Sequence, residues 1–213
     1  MVKVISFDVD GTLLDQEYND LVWMSEVPRL YAEKYDMDFE PAYRHVIGEY
    51  AKVGEYDMKW YDLNYWLALF GLETSSESIL EKYENRLRVY PDAERLFGRL
   101  KGFTLVLTTA MPRDFLGIKM KKLNGDFRRV FSTVSDFKSV KTREVYSAVC
   151  AELGVSEPEV LHVGDLWEAD YVAPREAGLH ALCIDRKQER EGAHVIRSLD
   201  ELEPRLQDIN RRP

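Results

Sequence analysis

Asp8 and Asp10 stand two residues apart in Asp8-Val9-Asp10-Gly11-Thr12-Leu13, directly after the apolar run Val2 to Phe7. The run reads as a buried strand, so both carboxylates fall where a strand gives way to a loop. In an open α/β sheet that rim faces the ligand crevice. Two acids so placed raise each other's pKa, and a divalent cation with a phosphoryl group would give the pair a purpose. A carboxylate can attack phosphorus and carry the group as an aspartyl-phosphate. Asp8, at the strand end, is the natural nucleophile. Asp10 points to the same side in extended geometry, where it can protonate a leaving oxygen and then activate water. Gly11 permits the tight turn, and Thr12 can donate a hydrogen bond within the loop.

A second acidic stretch, Gly164-Asp165-Leu166-Trp167-Glu168-Ala169-Asp170, follows the apolar run Val160 to Val163 and belongs on the same rim. Mg²⁺ takes hard oxygen ligands, which Asp8 and Asp165 can supply, with Asp170 bound directly or through water. A third strand end, Leu105-Val106-Leu107-Thr108-Thr109, offers hydroxyls to a phosphoryl oxygen. Lys141 precedes a helix and can stabilise both the Asp8 carboxylate and the charge of a transferring group. Lys138, three residues upstream, is the other candidate. His162 reads as a core histidine within a strand, and His45 and His180 have no visible partner.

The elements that must position these groups alternate. Residues 1–15 and 90–213 read as strands and helices in turn, with short apolar runs at Val2–Phe7, Phe103–Leu107, Val130–Val134, Val160–Val163 and Ala181–Ile184. Between them lie helical candidates at 92–101, 112–123, 142–153, 174–177 and 199–209. Continuous apolar strands alternating with helices predict a parallel sheet covered on both faces. Residues 16–89 read as helical throughout and hold most of the tyrosines and tryptophans, which suits the core of a small bundle. A capping box at Thr74-Ser75-Ser76-Glu77 opens its last helix, and Trp60, Leu63, Leu67 and Phe70 recur at helical spacing over 57–70. This segment is an inserted helical subdomain, with 8 basic residues against 15 acidic ones.

The whole chain of 213 residues carries a net charge of −9, which argues against nonspecific nucleic-acid or anionic-membrane binding. No apolar stretch is long enough to span a bilayer, and Cys150 and Cys183 lack metal-ligand spacing. A reducing cytoplasm is the expected setting. The basic excess over 113–143 reads as a solvated helix face.

Asp8/Asp10/Thr12, Thr108, Lys141 and Asp165/Asp170, in that order, resemble the haloacid dehalogenase superfamily of phosphotransferases. The resemblance covers the full chain, with Tyr90-Pro91-Asp92 similar to the family's return from its cap. It implies a Rossmann-like open parallel sheet with an inserted all-helical cap at 16–89. It implies Asp8 as nucleophile and metal ligand, and Asp10 as acid/base with its carbonyl on the metal. Thr108 and Lys141 would hold the phosphoryl group, with Thr12 and Thr109 beside it, and Asp165 and Asp170 would serve Mg²⁺. Lys141 departs from the family pattern, which often places Pro next; here Thr142 follows. An acid at position 10 favours phosphoryl transfer over dehalogenation. The expected activity is Mg²⁺-dependent hydrolysis of a small phosphorylated metabolite. A sugar-phosphate mutase uses the same residues and is the alternative; a non-catalytic phosphate-binding or signalling protein is a further one.

Overall fold

A computed structural model describes residues 1–211. In chain order the elements begin with β1 (Val4–Phe7), α1 (Glu17–Asp20), α2 (Val27–Lys34), α3 (Phe39–Val53), α4 (Leu63–Leu69) and α5 (Ser76–Lys82). Then follow α6 (Pro91–Phe97), β2 (Thr104–Thr109), α7 (Arg113–Met120), β3 (Phe127–Ser132), α8 (Thr133–Asp136) and α9 (Arg143–Leu153). The last are β4 (Val160–Gly164), α10 (Ala173–Glu176), β5 (His180–Ile184), β6 (Val195–Ile196) and α11 (Leu202–Arg211). A π-helical turn over Leu21–Glu26 joins α1 to α2, and another over Trp167–Val172 leads into α10.

The six strands form one parallel sheet in the order β3-β2-β1-β4-β5-β6. The chain moves outward from β1 through β2 to β3, then returns across β1 to build β4, β5 and β6. Right-handed crossovers in opposite directions put helices on opposite faces. On one face α9 buries Val145, Tyr146, Val149 and Cys150 against Val4, Val106, Phe131 and Val160. The reversal of strand order falls between β1 and β4, the point at which open α/β sheets bind ligands beyond the carboxyl ends of their strands. Asp8 and Asp165 follow those two strands. Cys150 and Cys183 are buried free thiols, and among the described residues no helix is long and apolar enough to cross a membrane.

The chain divides into two compact units: residues 1–15, 89–110 and 123 onward, which carry the sheet, and residues 16–88 with 111–122, which are helical. The alternation of elements assigns 111–122 to the core domain; the structure groups it with the helical segment. The reason is its apolar face: Phe115 stacks on Trp23 at 5.6 Å and meets Tyr18 edge-on at 6.4 Å, while Lys119 Nζ lies 5.2 Å above the Tyr18 ring.

Local boundaries shift for identifiable reasons. The periodic segment 57–70 is broken at Asp62, whose carboxylate caps α4 by accepting from Tyr65 N, leaving a 3₁₀ turn over Met58–Tyr61. Ser75, not Thr74, caps α5, accepting from Ser78 N. β3 begins earlier than its apolar run because Arg128 and Arg129 sit exposed on the edge of the sheet. Thr142 caps α9, and Gly154, at φ 68°, ends it.

Candidate active site

Parallel pairing places the ends of β2, β1 and β4 side by side: Phe7 pairs with Leu107 and with Val163. Thr108, Asp8 and Gly164 therefore come next on one rim. Asp8 is anchored by its strand, its N–H donating to Val163 O at 2.9 Å. Carboxylate oxygens of Asp8, Asp165 and Asp170 lie within 4.8 Å of one another. Lys141, held just before the Thr142 cap, is buried with Nζ 3.0 Å from Asp8 Oδ1, and it also pairs with Asp170. Lys138 is exposed. Of the two lysines, the geometry brings only Lys141 to the acids.

The charges do not balance evenly. Burial and the neighbouring Asp170 and Asp10 push the Asp8 carboxyl up to about 6, against the pull of Lys141. Burial and the Asp8 charge push Asp165 up to about 8. Asp170 behaves oppositely: burial opposes its charge, but Lys141 and His162 outweigh burial and hold it well below the usual carboxylate range. Three acids share one buried ammonium, and two of them resist ionising.

Asp170 has both oxygens engaged. Oδ1 faces Lys141 and lies 3.0 Å from His162 Nε2, while Oδ2 accepts from Leu166 N at 3.0 Å. So occupied, the carboxylate ties Lys141, His162 and the 166–170 turn together. The π-helical turn swings Asp170 back over the strand end, and Gly164 makes room: a Cβ there would meet Asp170 Cγ at 2.3 Å. Asp165, half-buried, keeps its carboxylate toward Asp8.

Residues not foreseen as partners support this cluster. His162, fully buried, bridges Asp170 to Ser6, whose Oγ lies 2.9 Å from His162 Nδ1 and 2.9 Å from Thr108 Oγ1. Tyr146 Oη donates to Ala169 O at 2.8 Å and lies 3.0 Å from His162 Nε2. A buried polar chain thus runs from Lys141 through Asp170, His162 and Ser6 to Thr108. A histidine within an apolar strand was legible as buried; its partners, on three other elements, were not.

The loop after Asp8 is closed by its own backbone. Leu13 N and Leu14 N donate to Val9 O, and Gly11 N, at φ 70°, donates to Leu14 O. The Thr12 hydroxyl does not take the part expected of it: Oγ1 is buried without a hydrogen-bond partner among the described residues. Thr108 and Thr109 are both buried at the end of β2. Asp10 is half-buried in the turn, and its side chain is not one of the three carboxylates that converge.

Known proteins place this architecture. A HAD phosphatase from Thermococcus onnurineus superposes with a TM-score of 0.86 at 27% identity, covering 96% of this chain and 98% of that one. L-2-haloacid dehalogenase from Xanthobacter autotrophicus shares the fold at 21% identity and a TM-score of 0.64, over 97% of this chain and 99% of its own. In sequence, the GMP/IMP nucleotidase of Escherichia coli is 24% identical over 170 residues, 77% of this chain and 74% of that protein. The family model for haloacid dehalogenase-like hydrolases matches residues 2–178, and the chain belongs to that family.

Proposed function

We propose that this hydrolase is a Mg²⁺-dependent phosphomonoesterase that acts on a small phosphorylated metabolite through an aspartyl-phosphate on Asp8. The observation that carries the reading is the convergence of three carboxylates within 4.8 Å beside a lysine ammonium 3.0 Å from Asp8. The donor set suits Mg²⁺: hard oxygens, and two acids whose raised pKa values mark a shortage of positive charge. Asp8, Asp165 and the Asp10 carbonyl would hold the ion. When bound it screens the approaching anions.

In the first step an Asp8 carboxylate oxygen forms a bond to phosphorus as the bond to the leaving oxygen breaks. Asp10 gives its proton to that oxygen, releasing an alcohol. In the second, the Asp10 carboxylate takes a proton from water, whose oxygen attacks phosphorus and displaces Asp8. Phosphate leaves and both acids are restored. Lys141, fixed by Asp170, orients Asp8 and offsets the charge of the phosphoryl oxygens. Asp170 acts through Lys141 in this reading. Thr108 and Thr109 would hold the phosphoryl group, with Thr12 in the same loop as Asp8 and Asp10.

Hydrolysis of p-nitrophenyl phosphate with Mg²⁺, and its loss on chelation, tests the reading. Turnover unaffected by chelation would remove the metal from it. Incubation with phosphosugars separates the mutase alternative: isomer formation without phosphate release would replace hydrolysis. The name of the Escherichia coli relative makes purine nucleoside monophosphates the first class to screen.

A further inference from the structure

Asp8 and Asp10 stand two residues apart but are held by different means. Asp8 is fixed by strand pairing and Lys141. Asp10 lies in the turn beyond, where the carbonyls of Gly11, Thr12 and Leu13 all accept hydrogen bonds from residues outside the turn. Leu13 O accepts from Tyr90 N at 2.9 Å. The other two are taken by one side chain from just past β5: Arg186 Nε donates to Gly11 O at 3.1 Å, and Nη2 donates to Thr12 O at 2.7 Å.

The guanidinium is itself clamped. Nη1 and Nη2 reach the two oxygens of Asp92 at 2.9 and 3.1 Å, and the group stacks 3.6 Å from the centre of the Tyr90 ring. Asp92 Oδ2 also accepts from Ser198 Oγ at 2.8 Å and Leu199 N at 2.9 Å, which ties α6 to the segment before α11. The Arg186 side chain is 18% exposed and that of Asp92 7%. The guanidinium makes four hydrogen bonds from one planar fork; an ammonium has three donors and cannot make all four.

We propose that Arg186 is a positioning residue: it fixes the turn that carries Asp10, and so sets the distance over which a proton passes to the leaving oxygen. The proposal rests on the reading of Asp10 as acid/base. Arg186 does not touch the reacting atoms; it acts through the backbone of Gly11 and Thr12. Loosening the clamp therefore impairs proton transfer while leaving Asp8 able to attack.

Proton donation matters most for a basic leaving oxygen and little for a good leaving group. The test compares kcat/KM for phenyl phosphate and p-nitrophenyl phosphate, since this ratio reports the chemistry up to release of the phenol. Arg186→Lys is expected to lower kcat/KM about tenfold or more on phenyl phosphate and by no more than about threefold on p-nitrophenyl phosphate. Asp92→Asn keeps acceptors for Ser198 and Leu199 while weakening the clamp, and is expected to shift the ratio in the same direction by less. It carries the test if Arg186→Lys does not fold, as judged by thermal melting. Asp10→Asn is the reference and is expected to show the largest leaving-group dependence. Equal losses on both substrates, or none, in the Arg186 and Asp92 variants would overturn the proposal while Asp10→Asn still showed the dependence. Loss of the dependence in Asp10→Asn itself would instead overturn the acid/base reading on which it stands.

Discussion

Each unit of this protein buries acid, and the two do so in opposite ways. In the helical unit Glu26 lies at the end of the first π-helical turn and is 3% exposed. Its carboxylate accepts from Arg29 at 2.8 and 3.0 Å, from Lys82 at 2.8 Å and from Tyr83 Oη at 2.7 Å. Burial works against its charge, but these donors outweigh it and hold the carboxyl near 2. In the sheet unit Asp8, Asp165 and Asp170 share Lys141, and two of the three are pushed upward. A fully satisfied acid is a structural tie. An under-satisfied group of acids is a site that gains by binding a cation. Burial alone separates neither; the count of donors does.

Substitutions sharpen that contrast. Asp8→Asn is expected to reduce Mg²⁺-dependent hydrolysis of p-nitrophenyl phosphate by about a thousandfold or more while the protein stays folded, because no nucleophile remains. Circular dichroism and initial rates check both halves, and substantial turnover in that variant would break the mechanism. Asp165→Asn should raise the Mg²⁺ concentration for half-maximal rate by roughly 10- to 100-fold, with a smaller effect at saturating metal. Gly164→Ala forces Asp170 aside, so Lys141 loses its fixed partner; activity is expected to fall about tenfold or more. Measured against Mg²⁺, that loss should persist at saturation, unlike the loss in Asp165→Asn.

Smaller effects belong to pH and to the helical unit. Asp8 and Asp165 must both be ionised to hold a cation, so Mg²⁺ affinity should rise with pH through about 6 to 8, with proton release on binding. Calorimetry in buffers of different ionisation enthalpy reads that release directly. Glu26→Gln should cost about 1–3 kcal/mol of stability in denaturant titrations and leave the Mg²⁺ dependence unchanged. Glu26 has a folded pKa below its ordinary 4.5, so its stabilisation is present above that pH and lost as pH falls toward about 2. The wild-type and Glu26→Gln stabilities should converge over that window.

What the sequence disclosed follows the range of the interactions involved. Strands β1, β4 and β5 were legible because they are almost wholly buried and read as predominantly apolar runs. β6 was not, since two residues carry no periodicity. β3 was misplaced because charged side chains tolerate an edge. Asp8 and Asp165 follow β1 and β4 directly, as the apolar runs implied, whereas Asp170 is brought to them by a π-helical turn and Asp10 stays in the turn beyond. Lys141 could be preferred to Lys138 but not separated from it by charge or spacing. The partners of His162 and Arg186 were out of reach: Ser6, Tyr146, Asp92 and Gly11 meet them only through the tertiary fold. α7 was assigned by the rhythm of alternating elements, whereas its grouping is decided by where Phe115 finds aromatic neighbours.

The strand order also governs when the molecule can act. Asp8 and Asp165 become neighbours only when β1 pairs with β4, strands more than 150 residues apart along the chain. A ribosome adding about 5–20 residues per second needs on the order of ten seconds to travel between them. Throughout that interval the nascent chain carries Asp8 without the acids of the 165–170 turn or their hold on Lys141. On the proposed mechanism, a polypeptide released before β4 emerges would have no turnover, because the acid cluster forms only once β1 has paired with β4.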